Sequence, residues 1–281
     1  MLKLRVITAL VLLPLAIYGI LFLSNNAFAV AVGLIMLIGG YEWAGFAKLA
    51  SQWAKMAFVA LVAGILYFLW LIIFILSADV MNAIAAVFWL FSLLLVFRYP
   101  ASAALWKEKS LIIALMGILL LTLTWYSLIS IHAIQKLEFA QTNISGPYLV
   151  LSIMILVWLA DTGAYFSGKR FGKHKLAAKV SPGKSREGVY GGLLLAVSVA
   201  SLFTFWHNGS QQDYVNSITI TFVTVVFSVI GDLMESMFKR QSGIKDSSNL
   251  LPGHGGILDR IDSVTAAGPV FFIAISLLYQ S

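Results

Sequence analysis

The chain has 281 residues, of which 60% are hydrophobic and only 11% charged, and its mean hydropathy is +0.92. Soluble domains sit near 45–50% apolar and about 25% charged, so an ordinary water-soluble fold is excluded. With no cysteine, disulfides, zinc thiolates, iron–sulfur clusters and thiol catalysis are excluded too; the net charge of +7 fits either nucleic acid or membrane topology, and its distribution decides.

Nine apolar segments, each roughly long enough to cross about 30 Å of hydrocarbon, follow one another at about 5–24, 27–46, 56–77, 81–99, 110–132, 147–168, 189–206, 215–236 and 263–280. The short alternating strands of a transmembrane barrel are missing. The expected fold class is an all-α polytopic membrane protein of about nine transmembrane helices. The first segment imitates a secretory leader, with Lys3 and Arg5 ahead of it and Ala27-Phe28-Ala29 behind. Its apolar run, Val6 to Leu23, exceeds the usual leader core of about 7–15 residues, and a second span follows at once. A retained first helix is expected.

If the N-terminus is cytoplasmic, 18 of the 19 basic residues fall in inside segments; only Lys136 lies outside. That asymmetry is the positive-inside pattern. It accounts for the net charge without nucleic acid, and predicts a cytoplasmic N-terminus and a C-terminus on the outer side.

Two regions follow. Residues 1–146 hold five spans and few polar groups; Glu42, beside Trp43 at the inner end of the second span, reads as interfacial, and His132 as solvated near an outer helix end, like His207. Residues 147–281 hold four spans and two cytoplasmic loops, 169–188 and 237–262. Here the charges concentrate. Asp161 lies in an apolar helix about seven residues from its end, roughly 10 Å deep at 1.5 Å per residue; an ionisable group at that depth is a functional candidate.

The loop after it carries Lys169, Arg170, Lys173, His174, Lys175, Lys179, Ser181, Lys184 and Arg186. It reads as a surface for phosphates, for anionic headgroups, or both. Gly183-Lys184-Ser185 is similar to the end of a P-loop but lacks its upstream glycine and preceding strand. From Asp232 to Asp262 there are five carboxylates, four cations, His254 and the glycines 253, 255 and 256. Asp232, Ser236 and Lys239, at i, i+4 and i+7, share a helix face, and so do Asp259 and Asp262 at i, i+3. Hard cations such as Mg²⁺ take carboxylate, hydroxyl and phosphate oxygens. Asp232 and Asp259, with Asp161 or Asp262, could hold one between helices.

Ser236-Met237-Phe238-Lys239-Arg240, Lys245-Asp246 and Gly253-His254-Gly255-Gly256-Ile257-Leu258-Asp259-Arg260-Ile261-Asp262 together resemble the signature of the phosphatidate cytidylyltransferases. Asp161 to Tyr165, Phe171 to Leu176 and Ser181 to Lys184 resemble further family segments. Family members usually continue the last of these with Thr-Trp, where this chain has Ser185-Arg186. The resemblance implies transfer of CMP from CTP to phosphatidic acid, giving CDP-diacylglycerol and pyrophosphate for phospholipid synthesis. It also implies dependence on Mg²⁺, with a second cation left open, a homodimer, and a bacterial inner membrane with the active site facing the cytoplasm.

On that resemblance Asp232 and Asp259 are expected as metal ligands. Asp161, Asp246 and Asp262 are expected to support them, Lys239, Arg240, Lys245 and Arg260 to bind phosphates, and His254 either to assist the leaving group or to fix the turn. Lys173, Lys175, Ser181, Lys184, Ser236, Gly255 and Gly256 complete the expected substrate contacts. A transporter of anionic solutes and a related CTP-dependent lipid enzyme, such as a polyprenol kinase, are the rival readings; many transporters are built from internal repeats, and none is detectable here. The D-x-x-D-G-x-x-A-R pattern of CDP-alcohol transferases is absent.

Overall fold

The computed structural model describes residues 2–73, 75–251 and 253–279, except the side chains of residues 2–7 and 9. The side chains of Lys3 and Arg5, and Pro252 of the signature, lie outside the described set. Among the described residues the chain forms nine α-helices: α1 (Leu2–Phe22), α2 (Asn25–Phe46), α3 (Gln52–Ile72), α4 (Ala78–Phe97), α5 (Ser110–His132), α6 (Gly146–Phe171), α7 (Arg186–Trp206), α8 (Gln211–Gln241) and α9 (Leu258–Tyr279). Eight of them, α2 to α9, are long and apolar enough to cross a membrane, and α1 is apolar over Leu10–Phe22. The protein is an all-α polytopic membrane protein.

Two small antiparallel hairpins interrupt the helices. Strands β1 (Leu137–Phe139) and β2 (Thr142–Ile144) join α5 to α6, and β3 (Lys175–Ala177) and β4 (Ser181–Ser185) join α6 to α7. On the first hairpin, exposed Lys136 pairs with Glu138 at 2.8 Å and holds its carboxyl below the usual range.

Helix α5 lies at the centre, against α2, α3, α6 and α9, and is buried on most sides. Its polar side chains are satisfied within the helix, as hydrocarbon surroundings demand. The Thr122, Thr124 and Ser127 hydroxyls donate to the carbonyls of Ile118, Leu120 and Leu123 at 2.6–2.7 Å. Two indoles tie α2 to it: Trp43 donates to the Ile113 carbonyl at 2.8 Å and Trp125 to that of Ala29 at 2.9 Å. His132 is not solvated as expected. It is 3% exposed, stacked on Phe28 with ring centroids 4.1 Å apart, and bonded to Asn25 Oδ1 at 2.6 Å and the Ile20 carbonyl at 3.0 Å. Packing of the α1–α2 turn over the end of α5 takes the ring out of water. His207 is half-buried against Phe203.

Helices α6 and α7 touch backbone to backbone. A Cβ on Gly192 would lie 2.5 Å from the Ala160 carbonyl, and one on Gly163 would lie 2.7 Å from that of Gly191. Small residues allow this approach, which membrane helices use in place of a hydrophobic drive. Gly192→Ala is therefore expected to destabilise the protein by about 1–3 kcal/mol, read as a lower thermal unfolding midpoint in detergent. An unchanged midpoint would mean that the seam separates freely.

The helices carrying the signature extend beyond their apolar cores. Where the hydropathy ends a span at about 236, α8 continues to Gln241 and stops in a C-cap built on Gly243 at φ 72°. The Ile244 amide donates to the Lys239 carbonyl at 3.0 Å and the Gly243 amide to that of Arg240 at 3.1 Å. This is the glycine-terminated cap that satisfies the last helical carbonyls. Helix α9 begins at Leu258, five residues before the expected 263, so Asp259, Arg260 and Asp262 are helical.

Candidate active site

Four chain segments meet at one side of the bundle. Phe238, in the last turns of α8, lies between Trp43 of α2 at 5.0 Å and Trp106, which follows α4, at 4.5 Å. The β3–β4 hairpin reaches the same place. Arg240 Nε donates to the Val180 carbonyl at 3.2 Å, and the Lys184 ammonium pairs with Asp232. The ends of α2, α4, α6 and α8, with the basic segments that follow them, thus gather on one side.

The hairpin is held from α7. Glu187, in the first turn, accepts the Lys173 amide at 3.2 Å and the His174 amide and ring, the ring at 2.6 Å. Acidic groups suit that end of a helix. Ser185, where the family usually has threonine, caps α7 by accepting the Gly188 amide at 3.1 Å. Of the expected substrate contacts here, only Lys184 reaches the acidic cluster by a direct ion pair. Lys173, Lys175 and Ser181 lie along the hairpin outside it.

Asp161, Asp232, Asp262, Glu235 and Asp259 form a chain of electrostatic neighbours, Asp161 next to Asp232, Asp232 to Asp262, and Glu235 to Asp262 and Asp259, with Lys184, Lys239 and Arg260 among them. Five carboxylates face three cations, an excess of two negative charges when all are ionised. Asp232 accepts the Ser236 hydroxyl at 3.3 Å in addition to Lys184. Lys239 turns to Asp259 Oδ1 at 2.5 Å and to Glu235 Oε1 at 3.3 Å. Glu235 has Lys239 as its ion-pair partner on Oε1 and no hydrogen-bond donor on Oε2, though its side chain is 3% exposed. Glu235, one of the five carboxylates between Asp232 and Asp262, has no expected role from the sequence; its signal is a carboxylate inside an apolar helix, the same that marks Asp161.

Asp259 is fully engaged. Beside Lys239 on Oδ1, its Oδ2 accepts the Ser247 amide, the Ser247 hydroxyl and the Gly256 amide, each at 2.8 Å. The loop between α8 and α9 folds back on this carboxylate. Outside it lies a cavity of about 480 Å³ lined by Lys245, Asp246, Asn249, His254, Gly255 and Arg260. His254 Nδ1 is buried there without a hydrogen-bond partner, and Gly255 lies against Asp259 and Asp246. Arg240 is aimed elsewhere, its second nitrogen 3.4 Å from the Ile244 carbonyl, so it ties hairpin, helix and loop together.

Glu42 overturns the interfacial reading. It is 5% exposed and accepts hydrogen bonds from Ser247, Ser248, Ile257 and Leu258. Partners more than 200 residues away in sequence gave no local signal for this.

The donor set suits a hard divalent cation: carboxylate and hydroxyl oxygens, carboxylates that outnumber the cations beside them, and a Glu235 Oε2 without a hydrogen-bond donor. Among the described residues no three acidic or histidine side chains already form a closed coordination group. A cation held by one or two carboxylates, with substrate phosphates and water completing its shell, matches how Mg²⁺ is commonly bound.

The profile of the cytidylyltransferase family matches residues 3–278. The chain is 44% identical over 271 residues to a phosphatidate cytidylyltransferase of Pseudomonas aeruginosa, covering 96% of both proteins. It is 41% identical over 294 residues to one of Haemophilus influenzae, covering 96% of this chain and 97% of that protein. One from Staphylococcus aureus is 42% identical over 143 residues, about half of each chain. Matched over nearly its full length, the chain belongs to the cytidylyltransferase family.

Proposed function

We propose that this protein transfers CMP from CTP to phosphatidic acid, forming CDP-diacylglycerol and releasing pyrophosphate. The observation that carries the proposal is the pairing of a polar cavity, lined by Lys245, His254 and Arg260, with a carboxylate cluster at one end of an apolar bundle. A water-soluble nucleotide and the headgroup of a membrane lipid can meet only at such a boundary. Near-full-length relatives named for this activity support the same reading.

The phosphate monoester of phosphatidic acid is itself the nucleophile, so no serine or cysteine attacks. Its oxygen bonds to the α-phosphorus of CTP, and the bond from that phosphorus to the bridging oxygen of the β-phosphate breaks. Both reactants are anionic, so the protein's task is to hold them together and offset their charge. Lys245 and Arg260, exposed to the cavity, bind phosphate oxygens. Lys184 sits on a hairpin and is placed to exchange Asp232 for a phosphate. His254, which lines the cavity, either assists the departing pyrophosphate or fixes the turn.

Mg²⁺ would be held by Asp232 and Asp259, with Asp161, Asp262 and Ser236 beside them, and a second cation would offset further carboxylate charge. When bound, the ion neutralises charge on the transferring and leaving phosphates. Asp246 borders the cavity and would support the metal site from there. The working protein is a homodimer in a bacterial inner membrane with this face toward the cytoplasm, where basic loops collect.

The test is purified protein in detergent with CTP, phosphatidic acid and Mg²⁺. CDP-diacylglycerol and pyrophosphate are expected in equal amounts, and chelation of divalent cations is expected to stop both. Release of CDP with phosphorylation of a lipid alcohol would instead identify a CTP-dependent lipid kinase. Absence of CDP-diacylglycerol would overturn the proposal.

A further inference from the structure

Glu42 lies in the last turns of α2, far from the signature in sequence, yet its carboxylate is engaged wholly by the α8–α9 connection. Oε1 accepts the Ser248 hydroxyl at 2.5 Å and the Ile257 amide at 3.0 Å. Oε2 accepts the Ser247 hydroxyl at 3.1 Å and the Leu258 amide at 2.8 Å. The Leu258 amide is the first of α9, and helices leave their first amides without internal partners. A carboxylate there also meets the positive end of the helix dipole. The fit is close: a Cβ on Gly256 would lie 2.4 Å from Glu42 Oε1 and 2.0 Å from Ser247 Oγ.

Ser247 joins this carboxylate to the site. Its hydroxyl lies within hydrogen-bonding distance of both Glu42 and Asp259, and its amide donates to Asp259. Glu42 and Asp259 therefore grip the same loop from opposite sides. Glu42 fixes where α9 begins, and through that the rotation and depth of Asp259, Arg260 and Asp262. Trp43, the next residue, packs on Phe238 one residue before Lys239, so neighbouring side chains of α2 hold both helices of the site.

We propose that Glu42 is a positioning residue: a buried carboxylate of the N-terminal region that sets the geometry of the α8–α9 loop and the start of α9. It touches neither the cavity nor a described phosphate-binding group. Its kinetic consequence rests on the cytidylyl-transfer reading; its structural consequence does not.

Glu42→Gln separates charge and acceptor count from size. Glutamine is nearly isosteric, but its NH₂ cannot accept. In either orientation its NH₂ meets one backbone amide of the loop, donor against donor, while the serine hydroxyl on that side must turn to accept. The experiment compares wild type, Glu42→Gln and Ser248→Ala in detergent by hydrogen exchange and by CDP-diacylglycerol formation. In Glu42→Gln, exchange across 247–258 is expected to rise at least about tenfold while α5 keeps its protection, and kcat to fall about 10- to 100-fold. Ser248→Ala, which removes one of four donors, is expected to show the same pattern at about two- to fivefold.

Unchanged exchange across 247–258 in Glu42→Gln overturns the proposal, as does an equal rise in α5, which would make Glu42 a general support of the bundle. Wild-type kcat in an active preparation of Glu42→Gln also overturns it. If Glu42→Gln does not fold, Ser248→Ala decides by the same two readouts. If wild type itself makes no CDP-diacylglycerol, the reaction assignment fails, and the exchange data still decide the role of Glu42.

Discussion

Asp259→Asn is expected to lower CDP-diacylglycerol formation at least about 100-fold, comparable to losing a preorganised electrostatic group from an active site. The reason lies in acceptor capacity. Four donors converge on this carboxylate, one on Oδ1 and three on Oδ2. Asparagine offers one carbonyl oxygen. With its NH₂ toward the loop it opposes two backbone amides and a hydroxyl; with its NH₂ toward Lys239 it opposes an ammonium. Either choice frees the loop or the lysine, and the negative charge proposed to help hold Mg²⁺ is gone in both. Because the apolar contacts of α9 are untouched, the variant should still insert and purify as wild type does. Parallel measurement of turnover and thermal unfolding checks this; wild-type turnover in Asp259→Asn would refute both roles assigned to the residue.

Lys239→Met is expected to have the larger effect on stability. The lysine head lies between Glu235 and Asp259, with side chains 9%, 3% and 6% exposed respectively. Two carboxylates in such a place are tolerable only with the cation between them. Breaking a buried ion pair by removing one partner costs about 3–5 kcal/mol, because the remaining charge stays buried and unpaired. Methionine fills most of the volume, so the loss reports charge rather than a cavity. The measurement is unfolding by denaturing detergent. Adding Glu235→Gln to Lys239→Met should recover part of the loss, since one uncompensated charge goes with it, and the double-mutant cycle measures that coupling. Additive effects would show that Glu235 and Lys239 do not interact energetically.

The limits of what the chain discloses follow from the kind of signal each element leaves. Spans α2 to α9 were legible because hydrophobic length is a local property of 18 to 25 residues. Their polar ends were not. Hydropathy closes the eighth span near Ser236, whereas the helix runs on through Lys239 and Arg240 because Gly243 and the Ile244 amide finish it. The same blindness put the start of α9 at 263, since the stabilisers of its first turn are Glu42 and Asp259. The resemblance singles out residues that the fold brings close together, among them Asp161, Asp232, Asp259, Asp262, Lys184 and Lys239. It could not say that Lys239 faces Glu235 and Asp259, or that Arg240 spends its donors on backbone carbonyls. The β3–β4 hairpin was hidden for a similar reason, because its length is 3 and 5 residues and its anchor, Glu187, sits in the next helix.

The seam between α6 and α7 bears on how a lipid moves. With Gly192 against the Ala160 carbonyl, these helices leave no gap wide enough for even one methyl group, let alone an acyl chain. Ala160 and Gly163 turn toward α7, and Asp161, one residue on from Ala160, projects about 100° around the helix from it. A two-tailed lipid presenting its headgroup to Asp161 therefore cannot slide in sideways through this seam. Diffusion within the leaflet is blocked on that flank, so a lipid must reach the site by another side of the bundle.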